Sequence, residues 1–406
     1  MKESFARLKP IWKLLILLFL IVLTFSYAMF QGGFVSWFLF YSFVPFALYG
    51  LFLSFYKLGN IEVIRGFEKS EFNAGEKLVV NIRMKRRSAF PLFYMVIEDN
   101  LSASLALSVK NKSTKALIFP YFRKEIDFEY TIEALPRGEH HFQGIQVKVG
   151  DLLGLIEKQT TFPTADDKII VYPAYEELIY RTMDHHYDQG MTASKERVQR
   201  DTSMAVGIRD YQPGDRFSWI NWKATAKRNE IMTKEFEQRK SHDVLILMDC
   251  APEKNFEAIV SFTASIVKAV LRKGAQVGFL SSSSERVAFP IRNGEAHQQQ
   301  IFYHLAKVKD DSPVPLDVVL EVEGFSLWQN ASLMLVSGQL TKSLVEKAGR
   351  FSAKQGLVTI LLIKGKNESA TDLERALKAE ANARGVRVVF IAEGQFSAAF
   401  SEVNQG

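Results

Sequence analysis

Cysteine is nearly absent: Cys250 stands alone among 406 residues, so no intrachain disulfide framework is available. A single thiol fits a chain held in a reducing compartment. No Cys–His spacing offers it a base, which makes it a small packed residue rather than a nucleophile. Residues 281–284 lack the glycines and the lysine of a phosphate-cradling loop. No nucleic-acid-binding motif occurs either, although the formal net charge is +6. Basic residues gather instead beside the apolar N-terminal region, Lys85, Arg86 and Arg87 among them, where anionic lipid would attract them. Nucleic acid is therefore not an expected partner.

The longest absence is of charge. Residues 14–56 contain no Asp, Glu, Lys or Arg, and Gln31, Gly32 and Gly33 divide the run into segments 11–30 and 34–56. Each is about 20 residues, the length a helix needs to cross roughly 30 Å of hydrocarbon. Lipid satisfies no backbone group, so a helical hairpin with a short external turn is expected over residues 1–58. Lys2, Arg7, Lys9 and Lys13 precede it, Lys57, Arg65 and Lys69 follow it, and the turn has no basic residue. That asymmetry puts both termini and all the soluble chain in the cytoplasm of a two-helix membrane protein. A cleaved signal peptide ending near Ser26, Tyr27 and Ala28 is the rival, but the apolar run is long for one.

Residues 59–175 read with a period of two. Leu78, Val80, Ile82 and Met84 alternate with polar residues, as do Ile126, Phe128, Tyr130 and Ile132, and then Ile145, Val147 and Val149. Turn signals at residues 73–75 and 136–138 separate the runs. Short strands without intervening helices predict an all-β sandwich of immunoglobulin type. His140 and His141 are adjacent on a strand and point to opposite faces, so they cannot share a metal. With His185 and His186 they read as surface or boundary residues.

Residues 241–406 change pattern. Apolar runs at 243–249, 276–280, 331–336, 357–363 and 386–392 alternate with helical stretches at 256–272, 340–354 and 370–383. Strands buried on both faces, interleaved with helices, predict a doubly wound parallel sheet that binds ligands outside its carboxyl edge. His297 and His304, seven apart and on one helix face at best, read as structural.

Residues 176–240 link these domains. Pro213 and Gly214 mark a turn, and Asp215 stands where the N-cap of a following helix belongs. Phe217, Ile220 and Ala224 would share one face of that helix, with Trp219 and Trp222 within a turn of each other.

This stretch resembles the signature of the domain of unknown function 58 family, written roughly R-E-Y-x-P-G-D-D-x-R-x-I-D-W-x-A-S-A-R. Arg209, Tyr211, Pro213, Gly214, Asp215, Ile220, Trp222, Lys223, Ala224 and Ala226 match it. Asp210, Asn221 and Lys227 replace the usual Glu, Asp and Arg. Arg137-Gly138 and the run from Asp151 to Leu155 resemble motifs that commonly precede the signature in that family. The strand ending at Asp249 resembles the first strand of a von Willebrand factor A domain, a family that binds Mg²⁺ through D-x-S-x-S and further loop oxygens. Asp249 is kept, but Ala251 and Glu253 stand at the two serine positions, and Ser337-Gly338 where Asp-Gly is common. The resemblance therefore implies a degenerate metal position, with no bound metal or other cofactor expected.

Such proteins are associated in bacteria with MoxR-type AAA+ ATPases and with transglutaminase-like membrane proteins. The resemblance thus implies a membrane-anchored, non-enzymatic adaptor or assembly factor. Within the signature, Arg209 paired with Asp215 could clasp the two soluble domains together. Alternatively the Trp, Tyr and Arg side chains could face outward to a partner. A hydrolase using Asp215 with Arg209, or Asp249 with a divalent cation, is the remaining alternative.

Overall fold

The charge-free stretch forms α1 (Lys2–Gln31) and α2 (Phe34–Phe55), reversing at Gly32, whose φ of +60° suits glycine. Windows Trp12–Gln31 and Phe34–Phe55 are long and apolar enough to cross a membrane. Most of their large side chains, Phe19, Leu23, Phe38 and Phe52 among them, point outward. The buried positions of α2 are Ser36, Ala47, Gly50 and Leu53, three of them small enough to let another backbone approach closely. The computed structural model describes residues 2–108, 114–163, 167–180, 200–212, 215, 217–238, 243–322 and 331–400. The chain divides into two units, Met1–Ala174 and Tyr175–Gly406.

The first unit continues with β1 (Ile61–Phe67), β2 (Glu71–Asn73), β3 (Leu78–Arg86), β4 (Tyr94–Asp99), α3 (Ala103–Ser108), β5 (Lys115–Ile118), β6 (Glu125–Ile132), β7 (Gly138–His141), β8 (Ile145–Gly150), β9 (Glu157–Phe162) and β10 (Lys168–Tyr172). They make sheets in the orders β1-β3-β6, β2-β10-β7 and β5-β4-β8-β9. The period of two survives in the fold: Leu78, Val80, Ile82 and Met84 are buried, as are Ile145, Val147 and Val149. Two features depart from the expected helix-free, antiparallel arrangement. One is the short α3; the other is β2, which pairs parallel to β10.

The core of this unit does not stop at the sheets. Leu17, Ala47, Leu53 and Leu58 belong to one hydrophobic cluster with Leu78, Val80, Ile97 and Val147. Tyr49 of α2 stacks on Phe90 and meets Phe93 edge-on, and its hydroxyl donates to the Pro91 carbonyl at 3.0 Å. Lys158 of β9 donates to the carbonyls of Ser54 and Tyr56, the latter at 2.8 Å, and so satisfies the carboxyl end of α2. Burial holds the Lys158 ammonium below its ordinary pKa.

Arg65 on β1 crosses between sheets. It donates through Nε and Nη2 to both oxygens of Asp99 at 3.0 and 2.5 Å, and through Nη1 to Asp167 at 2.7 Å. Tyr130 adds a bond to Asp99 at 2.7 Å, and Phe142 lies 5.0 Å beneath the guanidinium. Arg65 and Asp99 are fully buried, and removing either partner of such a pair costs about 3–5 kcal/mol.

Two residues read earlier as surface features are buried. Arg86 is 1% exposed and turns inward, its guanidinium donating to the carbonyls of Phe90, Tyr121 and Arg123. His140 is 2% exposed: the Pro136 carbonyl accepts from its Nε2 at 2.7 Å, which leaves Nδ1 to accept from the Ser104 hydroxyl at 3.1 Å. Its neighbour His141 is exposed, as the strand pleat requires. His185 and His186 lie outside the described residues.

The second unit comprises β11 (Arg200–Asp210), α4 (Trp222–Arg228), β12 (Met232–Gln238), β13 (Val244–Met248), α5 (Phe256–Arg272), β14 (Val277–Ser282), β15 (Arg286–Arg292), α6 (Glu295–Lys307), α7 (Leu316–Val322), β16 (Ser332–Ser337), α8 (Lys342–Gln355), β17 (Val358–Lys364), α9 (Asp372–Ala383) and β18 (Val386–Ala392). Its sheet runs β15-β14-β13-β16-β17-β18, parallel except for the edge strand β15. Leu245 and Leu247 face a cluster with Leu320, Leu344 and Leu377 of α7, α8 and α9. By the pleat, Val244, Ile246 and Met248 face the other side. The five expected parallel strands and three expected helices are all present; β15, α6 and α7 are additions. His297 and His304 bond the Val277 carbonyl and the Ser281 hydroxyl at 2.8 and 2.6 Å.

Burial lowers the pKa of His140 below its ordinary 6.5. An unfolded chain takes up this proton near 6.5 and the folded chain resists it. The stabilising contribution is therefore complete above 6.5 and fades as pH falls toward the depressed folded value. Thermal unfolding at pH 7.5 and 5.5 is expected to show a loss of stability at the lower pH that is smaller in His140→Gln. An equal loss in both proteins would remove His140 as its source.

Candidate functional site

The signature folds as a two-stranded ribbon with a helix in its bend. β11 pairs antiparallel with β12, placing Arg209 opposite Thr233 and Asp210 opposite Met232. At the end of β11, Arg209 donates through Nη2 to Asp215 Oδ1 at 2.7 Å and through Nη1 to the Asp210 carbonyl at 3.0 Å. The other Asp215 oxygen accepts from the Gln212 N–H at 3.0 Å. The carboxylate thus closes the turn that Pro213 and Gly214 were expected to form; those two residues lie outside the described ones.

Asp215 does not cap a helix. Phe217–Trp219 form a single 3₁₀ turn, and Ile220 then makes an isolated bridge to Thr233, which breaks the expected continuous helix. The α-helix starts one turn later, and its cap is Asn221, whose side-chain oxygen accepts from the Ala224 N–H at 3.2 Å. Asn229, in the left-handed region at φ 60°, ends it. Thr225, not singled out from sequence, ties the helix to the ribbon: its hydroxyl donates to the Asn221 carbonyl and accepts from the Met232 N–H, both at 3.0 Å. An i to i+4 back-bond of this type could have been suspected, because Thr in a short helix seeks a backbone acceptor.

The ribbon exposes large apolar and basic side chains, together with the acidic Asp210 and Glu230. Phe217 is 77% and Trp222 68% exposed, with Ile208 and Ile231 about half exposed. Lys223 and Lys227 are exposed on α4, whereas Ile220 is buried and Tyr211 is half-buried, its N–H held by the Ile231 carbonyl. Of the expected signature residues, Arg209 and Asp215 come together, Ile220 and Asn221 serve the local fold, and Trp222, Lys223 and Lys227 face out.

A second constellation lies at the carboxyl edge of the parallel sheet, where the strand order reverses between β13 and β16. Asp249 accepts from the Ser337 hydroxyl at 2.6 Å through one oxygen and from the Ala251 N–H at 3.0 Å through the other. Glu253 is held by the Gln339 amide at 2.6 Å and fills the space beside Gly338, where an added Cβ would come within 2.8 Å of it. Glu368 accepts from Gly365 N–H and Asn255, which together hold its carboxyl below the ordinary pKa. Among the described residues no three His, Cys, Asp or Glu side chains converge to hold a metal ion. Cys250 is buried, its sulfur 3.8 Å from the Met248 carbonyl.

These parts define a class: an apolar helical hairpin, a β-rich unit, and an α/β unit introduced by an Arg–Asp-closed ribbon. The chain belongs to the DUF58 family, whose model, described as a protein of unknown function, matches residues 207–402. It is 40% identical over 388 residues to the uncharacterized protein YeaD of Bacillus subtilis (strain 168), an alignment covering 95% of this chain and 96% of that one. Among solved structures it is similar in part to proximal thread matrix protein 1 of the mussel byssus, at 15% identity and a TM-score of 0.27, over 40% of this chain and 46% of that one. Spo0M, a sporulation control protein of Bacillus subtilis, matches 28% of this chain and 50% of its own at 15% identity and a TM-score of 0.16. The architecture rests on the strand order itself.

Because no three His, Cys, Asp or Glu side chains converge at Asp249 among the described residues, Mg²⁺ titrated into the purified protein is expected to leave its melting temperature unchanged. A rise that grows with Mg²⁺ concentration would reveal a working cation site.

Proposed function

We propose that the chain is a membrane-anchored cytoplasmic adaptor or assembly factor that works through a partner and catalyses nothing itself. In this reading α1 and α2 span the bilayer, and the flanking Lys and Arg residues keep both termini and both units in the cytoplasm. The β unit is an immunoglobulin-like sandwich. The α/β unit is a von Willebrand A-like domain whose metal position has been closed by Ala251, Glu253 and Ser337. Support for that relation comes from the strand order, which is that of a doubly wound sheet with Asp249 at the switch point.

The observation that carries the functional reading is the division of labour in the ribbon. Arg209 and Asp215 spend their charge on each other, while Phe217 and Trp222 stand exposed beside Lys223 and Lys227. Aromatic side chains flanked by cations are the composition of protein-binding hot spots. A MoxR-type AAA+ ATPase, with a transglutaminase-like membrane protein in the same assembly, is the partner that family resemblance implies. Docking it on the ribbon would deliver its work to the membrane surface.

A pull-down in gentle detergent tests this. The native protein is expected to recover the ATPase. Trp222→Ala, with an unchanged melting temperature, is expected to weaken the complex by about 2 kcal/mol, roughly 30-fold. Full recovery by the folded variant would contradict the ribbon as docking face.

A further inference from the structure

The joint between α2 and the β unit lies higher on the helix than a simple tether would place it. Gly50 faces Ile156 and Asp151, an ideal Cβ there falling 3.5 and 3.7 Å from their side chains, and Tyr49 bonds Pro91. From Phe34 to Gly50 the helix rises about 24 Å at roughly 1.5 Å per residue. A bilayer's hydrocarbon is roughly 30 Å thick. If the hairpin spans the bilayer as proposed above, the β-unit residues that touch Tyr49 and Gly50 sit at the level where acyl chains meet head groups.

Two loop tips of the β unit adjoin that joint, and both expose large apolar side chains. The first, residues 151–156, presents Leu152 and Leu153, 55% and 48% exposed. The second, residues 119–122, is bridged to Leu92 through Tyr121 and presents Phe119, Tyr121 and Phe122, 52%, 50% and 67% exposed. Single exposed apolar residues are ordinary, but two such tips flanking an apolar helix pair are not.

Several polar groups of the two tips are answered from within. Asp151 turns its carboxylate inward to the Ile156 N–H at 2.8 Å, and the Asp151 and Ile156 backbones bond at 3.0 Å. Buried Arg86 collects the carbonyls of Phe90, Tyr121 and Arg123. With Lys158 closing the end of α2, part of the backbone polarity around the joint is met without water, which favours a seat in a low-dielectric interface. Exposed Lys57, Arg87, Arg123 and Lys124 supply charge for anionic head groups nearby.

We infer that Leu152–Leu153 and the Phe119–Phe122 turn are lipid-contacting tips that seat the β unit in the cytoplasmic face of the bilayer around the hairpin. The occupant of this surface is the head-group and upper acyl region of lipid, which favours Tyr, Phe and Leu beside cations. The inference rests on the hairpin spanning the membrane.

Depth-dependent quenching separates the two claims. The full chain, with Cys250→Ala, would carry one environment-sensitive probe at a time through Leu153→Cys, Phe122→Cys, Leu39→Cys or Glu133→Cys. It would be reconstituted in phosphatidylethanolamine–phosphatidylglycerol vesicles containing shallow or deep spin-labelled lipid. Leu39 reports the hairpin, and Glu133, beyond the far end of β6 from Phe122, reports water. The expected result is shallow-label quenching at 153 and 122, deep-label quenching at 39 and none at 133. Quenching at 39 with 153 and 122 behaving like 133 would overturn the seated tips and leave the hairpin reading intact. No quenching at 39 would overturn both.

Discussion

Leu17, Ala47 and Leu53 must satisfy two surroundings at once. They sit on helices whose outer faces are apolar enough for lipid, and they complete the hydrophobic core of a β-rich unit. Gly50 lies against Leu17 and Ile156, a Cβ there meeting them at van der Waals distance, and Lys158 reaches up to close the helix end. The sheets in turn are tied across their own gap by Arg65 and Asp99, a pair with no solvent to fall back on. The helical hairpin and the β-rich sheets thus share one hydrophobic core.

The second unit engages its signature carboxylates in local hydrogen bonds. At both places where chemistry was anticipated, the ribbon turn and the carboxyl edge of the sheet, the carboxylates hold hydrogen bonds from neighbouring side chains and backbone. The exposed side chains beside them on the ribbon include Phe217, Trp222, Lys223 and Lys227, the residues on which the proposed docking rests.

Much of this was legible in sequence, and the divide between what was and what was not has a physical basis. Long-range periodicity showed the hairpin, the alternating β3, β6 and β8, and all five parallel strands of the α/β unit, because apolar patterning over many residues is dictated by burial. The Arg209–Asp215 pair was accessible because its members are six residues apart across one turn. Single polar residues were not legible. For the buried His140 and Arg86, the nearby partners Pro136 and Phe90 offer only backbone carbonyls, which no sequence pattern marks, and Ser104 and Tyr121 lie far along the chain. The cap was assigned to Asp215 when Asn221 fills it, because two cap-competent residues stood before one helix and only the intervening Ile220 bridge decides between them. The edge strand β15 escaped notice because one of its faces is wet and its run is interrupted by Pro290.

The claim on which the account turns is that the hairpin belongs to the β-unit core. Hydrogen exchange on residues 59–406, compared with the full chain in detergent, tests it most directly. The account predicts that amide protection in β3 and β8 collapses when the hairpin is removed, while β13 and β16 keep theirs. Equal protection of β3 and β8 in both proteins would show a self-sufficient β unit with a dispensable anchor, and would contradict it.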